Sequence, residues 1–163
     1  MPGHHGAGPS AIASWSSAIG AAEELELPWD FPVRELVAVA QALRANATLR
    51  KLSVHRLDAE GASALARTLR ESSTLEELVV TCGLGGGAFA TLVAALQDNG
   101  SIRALSLGVD ADGVGGYAMS GDDGLALGAA LRANASLRSL RVRLPDGGGA
   151  AAAALAAALA DPE

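Results

Sequence analysis

Aromatic side chains are scarce in this sequence: two Trp, two Phe and one Tyr among 163 residues. Half of the chain is nevertheless apolar. A core must therefore be built from Leu, Val and Ala, and the length suits one domain that can bury it. Cysteine is almost absent as well. Cys82 stands alone, which excludes an intramolecular disulfide and points to a reducing compartment. Cationic excess is missing, since 12 Lys and Arg face 18 Asp and Glu for a formal net charge of −6. That balance argues against general affinity for nucleic acid, which needs cations to displace counterions from phosphates. Long apolar runs are missing too. Residues 11–22 are mildly apolar, but no Lys or Arg precedes them and Ser and Gly dilute them, unlike a secretory signal. Residues 147–160 are mostly Ala and Gly and fall short of the ~18 residues of a credible membrane span. The expectation is a cytoplasmic or nuclear protein with no membrane contact.

What the sequence does contain is a repeat. Leu43-Arg-Ala-Asn-Ala-Thr-Leu-Arg-Lys-Leu52 nearly duplicates Leu131-Arg-Ala-Asn-Ala-Ser-Leu-Arg-Ser-Leu140. Between them lie Leu69-Arg-Glu-Ser-Ser-Thr-Leu-Glu-Glu-Leu78 and Leu96-Gln-Asp-Asn-Gly-Ser-Ile-Arg-Ala-Leu105. Each copy carries aliphatics at its first, seventh and tenth positions, and another two residues on, at Val54, Val80, Leu107 and Val142. Leu25-Glu-Leu27 fits the same frame. The anchors Leu25, Leu52, Leu78, Leu105 and Leu140 are spaced by 27, 26, 27 and 35 residues. Alternation at each anchor predicts a short strand with one buried side. A helical stretch follows each, with a large residue beside a small one on its ridge: Val39-Ala40, Leu65-Ala66, Leu92-Val93, Leu127-Gly128 and Leu155-Ala156. A strand–loop–helix unit of about 27 residues cannot bury its own apolar face, so five of them must stack.

The L-x-x-L-x-L pattern, the N-x-(T/S)-L before it and the small-residue-rich helix resemble the ribonuclease-inhibitor-like class of leucine-rich repeats over roughly residues 23–160. That resemblance implies an α/β solenoid, with a curved parallel sheet inside and helices outside. Its usual function is to bind another protein without catalysis. The family also places an Asn three positions after the second strand leucine; here Asp30, Leu57, Gly83, Asp110 and Pro145 stand there instead. Regularity of those turns is therefore in question. Residues 1–10, with Gly, Pro and His, read as a disordered tail. Ile12, Trp15 and Ile19 fall at helical spacing, which suits a capping helix over 11–22.

Chemistry-bearing motifs are weak. Val79-Val-Thr-Cys-Gly-Leu-Gly85-Gly-Gly-Ala88, with Asp110 after the next strand, imitates a dinucleotide fingerprint. It also keeps the repeat register at Leu75, Leu78, Val80, Leu92 and Leu96, and is better read as the turn of the third unit. Gly116-Tyr-Ala-Met-Ser-Gly-Asp122 has phosphate-loop spacing, but Asp122 stands where Lys is required. Counting a calcium loop from Asp110 ends it at Gly121 rather than at a Glu. His4, His5 and His55 form no ligand set, Ser63 lacks the glycines of a nucleophile elbow, and Cys82 has no neighbouring His in sequence. Asn46 and Asn134 match glycosylation acceptors but belong to the repeat consensus. No cofactor, metal or catalytic residue is expected.

What remains is surface. Residues flanking the buried strand positions should face the concave side. They are Glu24 and Glu26, then Lys51, Ser53 and His55, then Glu77, Val79 and Thr81, and finally Ser139, Arg141 and Arg143. This expected partner-binding surface runs from acidic to basic. The surplus between Leu105 and Leu140 predicts a mobile loop in which Tyr117 and Met119 are further contact candidates. The reading is a protein-interaction scaffold whose partner and oligomeric state are left open. Its alternatives are a GTPase-activating regulator, since Ran GTPase-activating proteins resemble this repeat type, and a dinucleotide-binding enzyme.

Overall fold

The computed structural model describes residues 17, 19–82, 84–85, 87–108, 117–144 and 149–160. Five strands alternate with helices: β1 Glu24–Glu26, α1 Leu36–Arg44, β2 Lys51–Val54, α2 Ala59–Glu71, β3 Glu77–Val80, α3 Ala88–Gln97, β4 Ala104–Leu107, α4 Gly121–Ala133, β5 Ser139–Val142 and α5 Gly149–Ala160. A single turn of 3₁₀ helix, Val33–Glu35, leads into α1. The strands form one parallel sheet in the order β1-β2-β3-β4-β5. Leu25, Leu52, Leu78, Leu105 and Leu140 lie side by side across it. The five anchors read from the repeat are thus the register of the sheet. A strand order that never reverses has no topological switch point, the crevice at which a doubly wound sheet holds a dinucleotide. The glycine-rich segment after β3 is instead a strand-to-helix turn, in which Gly87 takes a left-handed φ of 84° just before α3.

The core lies between the sheet and the helices. Leu52, Leu78 and Leu105 are at most 2% exposed, as are Val39, Leu65, Leu92 and Leu127 on the helices facing them. Phe89 is the one aromatic ring among the largest fully buried side chains, so aliphatics do carry the packing. The small partners on the ridge let helices approach. Between α4 and α5 this goes furthest: a Cβ on Gly128 would fall 2.0 Å from Ala158 Cβ, and one on Gly124 would fall 2.6 Å from the Ala151 carbonyl. On α5 the ridge residue Leu155 is only half-buried and Ala156 is exposed, because no described element packs beyond them.

Asparagine does form a ladder, but at the other turn of the unit. Asn99 Nδ2 donates to the Leu69 carbonyl at 2.6 Å, while its Oδ1 accepts from the Ser101 and Ile102 N–H groups at 2.9 and 2.8 Å. Asn134 repeats this, donating to the Leu96 and Asn99 carbonyls and accepting from Ser136 and Leu137. Asn46 does the same with the Ile19 carbonyl and with the Thr48 and Leu49 N–H groups. Each amide therefore closes its own helix-to-strand turn and ties it to the unit before. The N-x-(T/S) triplets are structural clasps: Thr48 and Ser136 hydroxyls also reach back, to the Ala22 and Ile102 carbonyls. In the unit that carries Ser72, the hydroxyl accepts from Leu75 N–H at 3.2 Å, a shorter substitute. Ile19, from the expected capping segment, is 1% exposed in the core, whereas Ile12, Trp15 and the 1–10 tail lie outside the described residues.

Candidate functional site

The side of the sheet away from the helices carries the columns expected of it, since successive residues on a strand alternate sides. They are not a simple gradient of free charge. Lys51 pairs with Glu77 at 3.3 Å, and Glu26 meets His55 Nε2 at 3.1 Å. Glu24 and Arg141 make no ion pair among the described residues. Pairs this exposed contribute about 0–1 kcal/mol each, so they organise the surface more than they stabilise the fold. The centre is closed. Thr81 is 4% and Ser53 9% exposed, and the Thr81 hydroxyl donates to the His55 carbonyl at 3.0 Å. These two positions, expected to contact a partner, offer little surface of their own.

The most distinctive corner lies where β1 and β2 run out. Trp29, in the turn after Leu27, stacks on the His55 ring with centroids 4.4 Å apart and planes 17° from parallel. Glu26 holds His55 from one side, and Thr81 Oγ1 lies 3.4 Å from its Nδ1 on the other. His55 is thereby fixed from the units on either side of its own, and its side chain is 13% exposed. Trp29 itself remains 52% exposed. Sequence reading passed over Trp29 because it falls outside the strand columns. The signal was a Trp directly after Pro28, just past the first strand.

In the insertion between β4 and α4, the described side chains lie against the core. Residues 109–116 lie outside the described residues, but Tyr117 and Met119 do not. Met119 is 2% exposed, so it is a core residue with no surface for a partner. Tyr117 is half-buried against Phe89, with ring centroids 5.7 Å apart, and its hydroxyl donates to the Asp123 carboxylate. Ser120 caps α4 in a reciprocal box with Asp123. Burial, then the neighbouring Asp123, push the Tyr117 hydroxyl up to about 12. Burial alone would raise Asp123, but hydrogen bonds from the Ser120 and Tyr117 hydroxyls and the Ser120 N–H outweigh it and hold the carboxyl below its ordinary value. Apolar character rather than exposure placed these two side chains.

No protein-family model and no curated protein sequence matches the chain. Solved structures do. One titled leiomodin-1 actin-binding site 2 superposes with a TM-score of 0.62 at 16% identity, covering 98% of this chain and 91% of that one. The Caenorhabditis elegans tropomodulin C-terminal domain gives 0.64 at 16% identity, over 92% and 89%. The fold is that of a leucine-rich-repeat array, ribonuclease-inhibitor-like in class. Within the array, one end of the open face joins Glu24, Glu26, His55 and Trp29, while Ser139, Arg141 and Arg143 lie three strands from His55 on the terminal strand and just past it. Among the described residues no group of three or more His, Cys, Asp or Glu could hold a metal ion. No helix among them is long and apolar enough to cross a membrane.

Proposed function

We propose that the array is a non-catalytic protein-binding module whose partner docks on the open face of the sheet, anchored at the Trp29–His55 corner. The observation that carries this is an exposed Trp held flat on a histidine that is itself fixed by Glu26 and Thr81 from the units on either side. An indole offers large contact area at low entropy cost, and Trp is enriched where interfaces gain most of their energy. Glu24 and Glu26 beside it, and Arg141 and Arg143 at the other end, would orient a partner of opposite charge order. The expected columns, from Lys51 and Ser53 through Glu77, Val79 and Thr81 to Ser139, then frame the contact without dominating it. A single free cysteine suits an intracellular setting.

A narrower reading has a specific observation in its favour. The likeness to a structure titled as an actin-binding site extends over nearly the whole chain, so actin is the first partner to test. Co-sedimentation with filaments and fluorescence titration of labelled monomer would show binding by the intact chain. For whichever partner is captured, Trp29→Ala should weaken binding at least about tenfold, or ~1.4 kcal/mol. Arg67→Glu, on the helix side, should not. Equal affinities for both variants would place the contact elsewhere.

A further inference from the structure

The last unit displays the face that earlier units bury. Ile102, Leu105, Leu107 and Leu127 are at most 2% exposed where the fifth unit stacks on the fourth. Their counterparts Leu137, Leu140, Val142 and Leu155 are only half-buried. Backbone pairing repeats the point. The carbonyls of Glu23, Arg50, Glu76 and Arg103 each accept two N–H groups from the following strand, at 2.7–3.2 Å. Arg138 is the next member of that series, and no described strand lies beyond it. Among the described residues β5 is therefore the edge strand, with acceptors in register and an aliphatic floor, the arrangement that an added strand can complete.

Charge specifies what fits. Down the leading margin of the sheet the residues read Glu23, Arg50, Glu76, Arg103 and Arg138. Signs alternate through four positions, with Arg50 and Glu76 ion-paired, and then break, leaving Arg138 beside Arg103. Arg141 likewise follows Ser106 in its column. Neither Arg138 nor Arg141 has an acidic partner among the described residues. A sixth strand in the same register would meet both with acids and would set aliphatics beside Leu140 and Val142. The order required is acid-x-aliphatic-acid-aliphatic. Glu23-Glu-Leu-Glu-Leu27 is such a sequence, and in this array it already pairs in parallel with β2. A second copy is a poor occupant, because its first strand arrives with the Ile19 turn held in the helix layer by Asn46, where α5 already stands.

We propose that the β5 edge is a docking site for an acidic–aliphatic extended segment of another protein, added as a sixth parallel strand. It is separate from the Trp29 corner and stands without it. The test uses the intact chain and a fluorescein-labelled peptide with the core Glu-Glu-Leu-Glu-Leu, read by fluorescence anisotropy. Binding should saturate, weaken at least about tenfold in Arg138→Glu/Arg141→Glu, and stay unchanged in Trp29→Ala. N-methyl groups on the peptide amides that face β5 should abolish it, and Lys in place of each Glu should do the same. Both arginines are exposed, and an unchanged thermal midpoint would show that the double variant folds. Equal affinity for wild type and the double variant would overturn the proposal, as would no saturable binding up to millimolar peptide. Self-association that the double variant abolishes would also overturn it, by giving the edge to a second copy.

Discussion

Replacing Gly128 with Ala separates two effects of opposite sign. Gly128 lies inside α4, and Ala is a better helix former than Gly by about 1 kcal/mol, so propensity alone predicts a more stable protein. Packing predicts the reverse. The new Cβ would lie 2.0 Å from Ala158 Cβ, whereas carbon atoms rest about 3.5–4.0 Å apart. The helices must then part by ~1.5 Å, since neither methyl can rotate away. One turn earlier, a Cβ on Gly124 would fall 2.6 Å from the Ala151 carbonyl, so the shift cannot be taken up by tilting α5 towards α4. Overpacking costs about 1–3 kcal/mol, which cancels the propensity gain at its lower end and leaves a net loss of up to about 2 kcal/mol. That loss should be local, because only Ala151 and Ala158 of α5 are buried. Hydrogen exchange read by mass spectrometry should show faster exchange across residues 149–160 while β2 to β4 keep their protection. Gly100→Ala, with open space around it, is the control. If Gly128→Ala raised the midpoint and left α5 protected, the close approach of α4 and α5 would be wrong.

Other expectations follow from the same contacts. Leu78→Ala removes a fully buried side chain from the middle strand and should cost about 2–5 kcal/mol by urea unfolding; an unchanged midpoint would refute the register. Asn99→Ala deprives one carbonyl and two N–H groups of partners in a site that is 4% exposed, and should cost at least ~1–3 kcal/mol. A Cβ on Gly108 would fall 2.4 Å from the Tyr117 carbonyl, so the chain leaves and returns at one point; deleting 109–116 should preserve cooperative unfolding, and loss of the fold would count against it. The raised Tyr117 pKa means that its contribution is intact below pH 10 and lost as pH rises through about 12, a fall that Tyr117→Phe should remove. The depressed Asp123 pKa has the opposite sense: its contribution is present above the ordinary carboxylate range and lost in acid, and thermal scans of Asp123→Asn should show a flatter acid limb.

The sheet was legible because stacking demands one aliphatic at each anchor, and sequence spacing records that demand directly. Five anchors read from spacing became five neighbours in the sheet. The turns were less legible. Absence of Asn at Asp30, Leu57, Gly83, Asp110 and Pro145 suggests irregular turns, yet Asn46, Asn99 and Asn134 stand within the repeat itself. Their amides satisfy backbone groups on the opposite edge, and a one-dimensional pattern does not say which edge an amide serves. The surroundings of Tyr117 and Met119 were not legible, because flanking glycines suggest exposure, while Met119 is drawn into the core and Tyr117 onto Phe89. The Trp29–His55 stack joins two units whose partners are set by turn geometry, which the repeat period does not encode.

Which positions can carry recognition follows from the same division. On the buried side of the strands the column at each anchor is Leu in all five units, because each must fill the same space between sheet and helix. One residue further, on the open side, the column reads Glu26, Ser53, Val79, Ser106 and Arg141. Acid, small polar, aliphatic and base all pair in the same register, so the stack places almost no demand on what stands there. A surface that the fold leaves unspecified is one on which chemistry can be set for a partner at little cost in stability. That freedom also explains why the pattern that identifies the array says so little about its open face: within the sheet, the residues that make the repeat visible stand on the buried side of the strands.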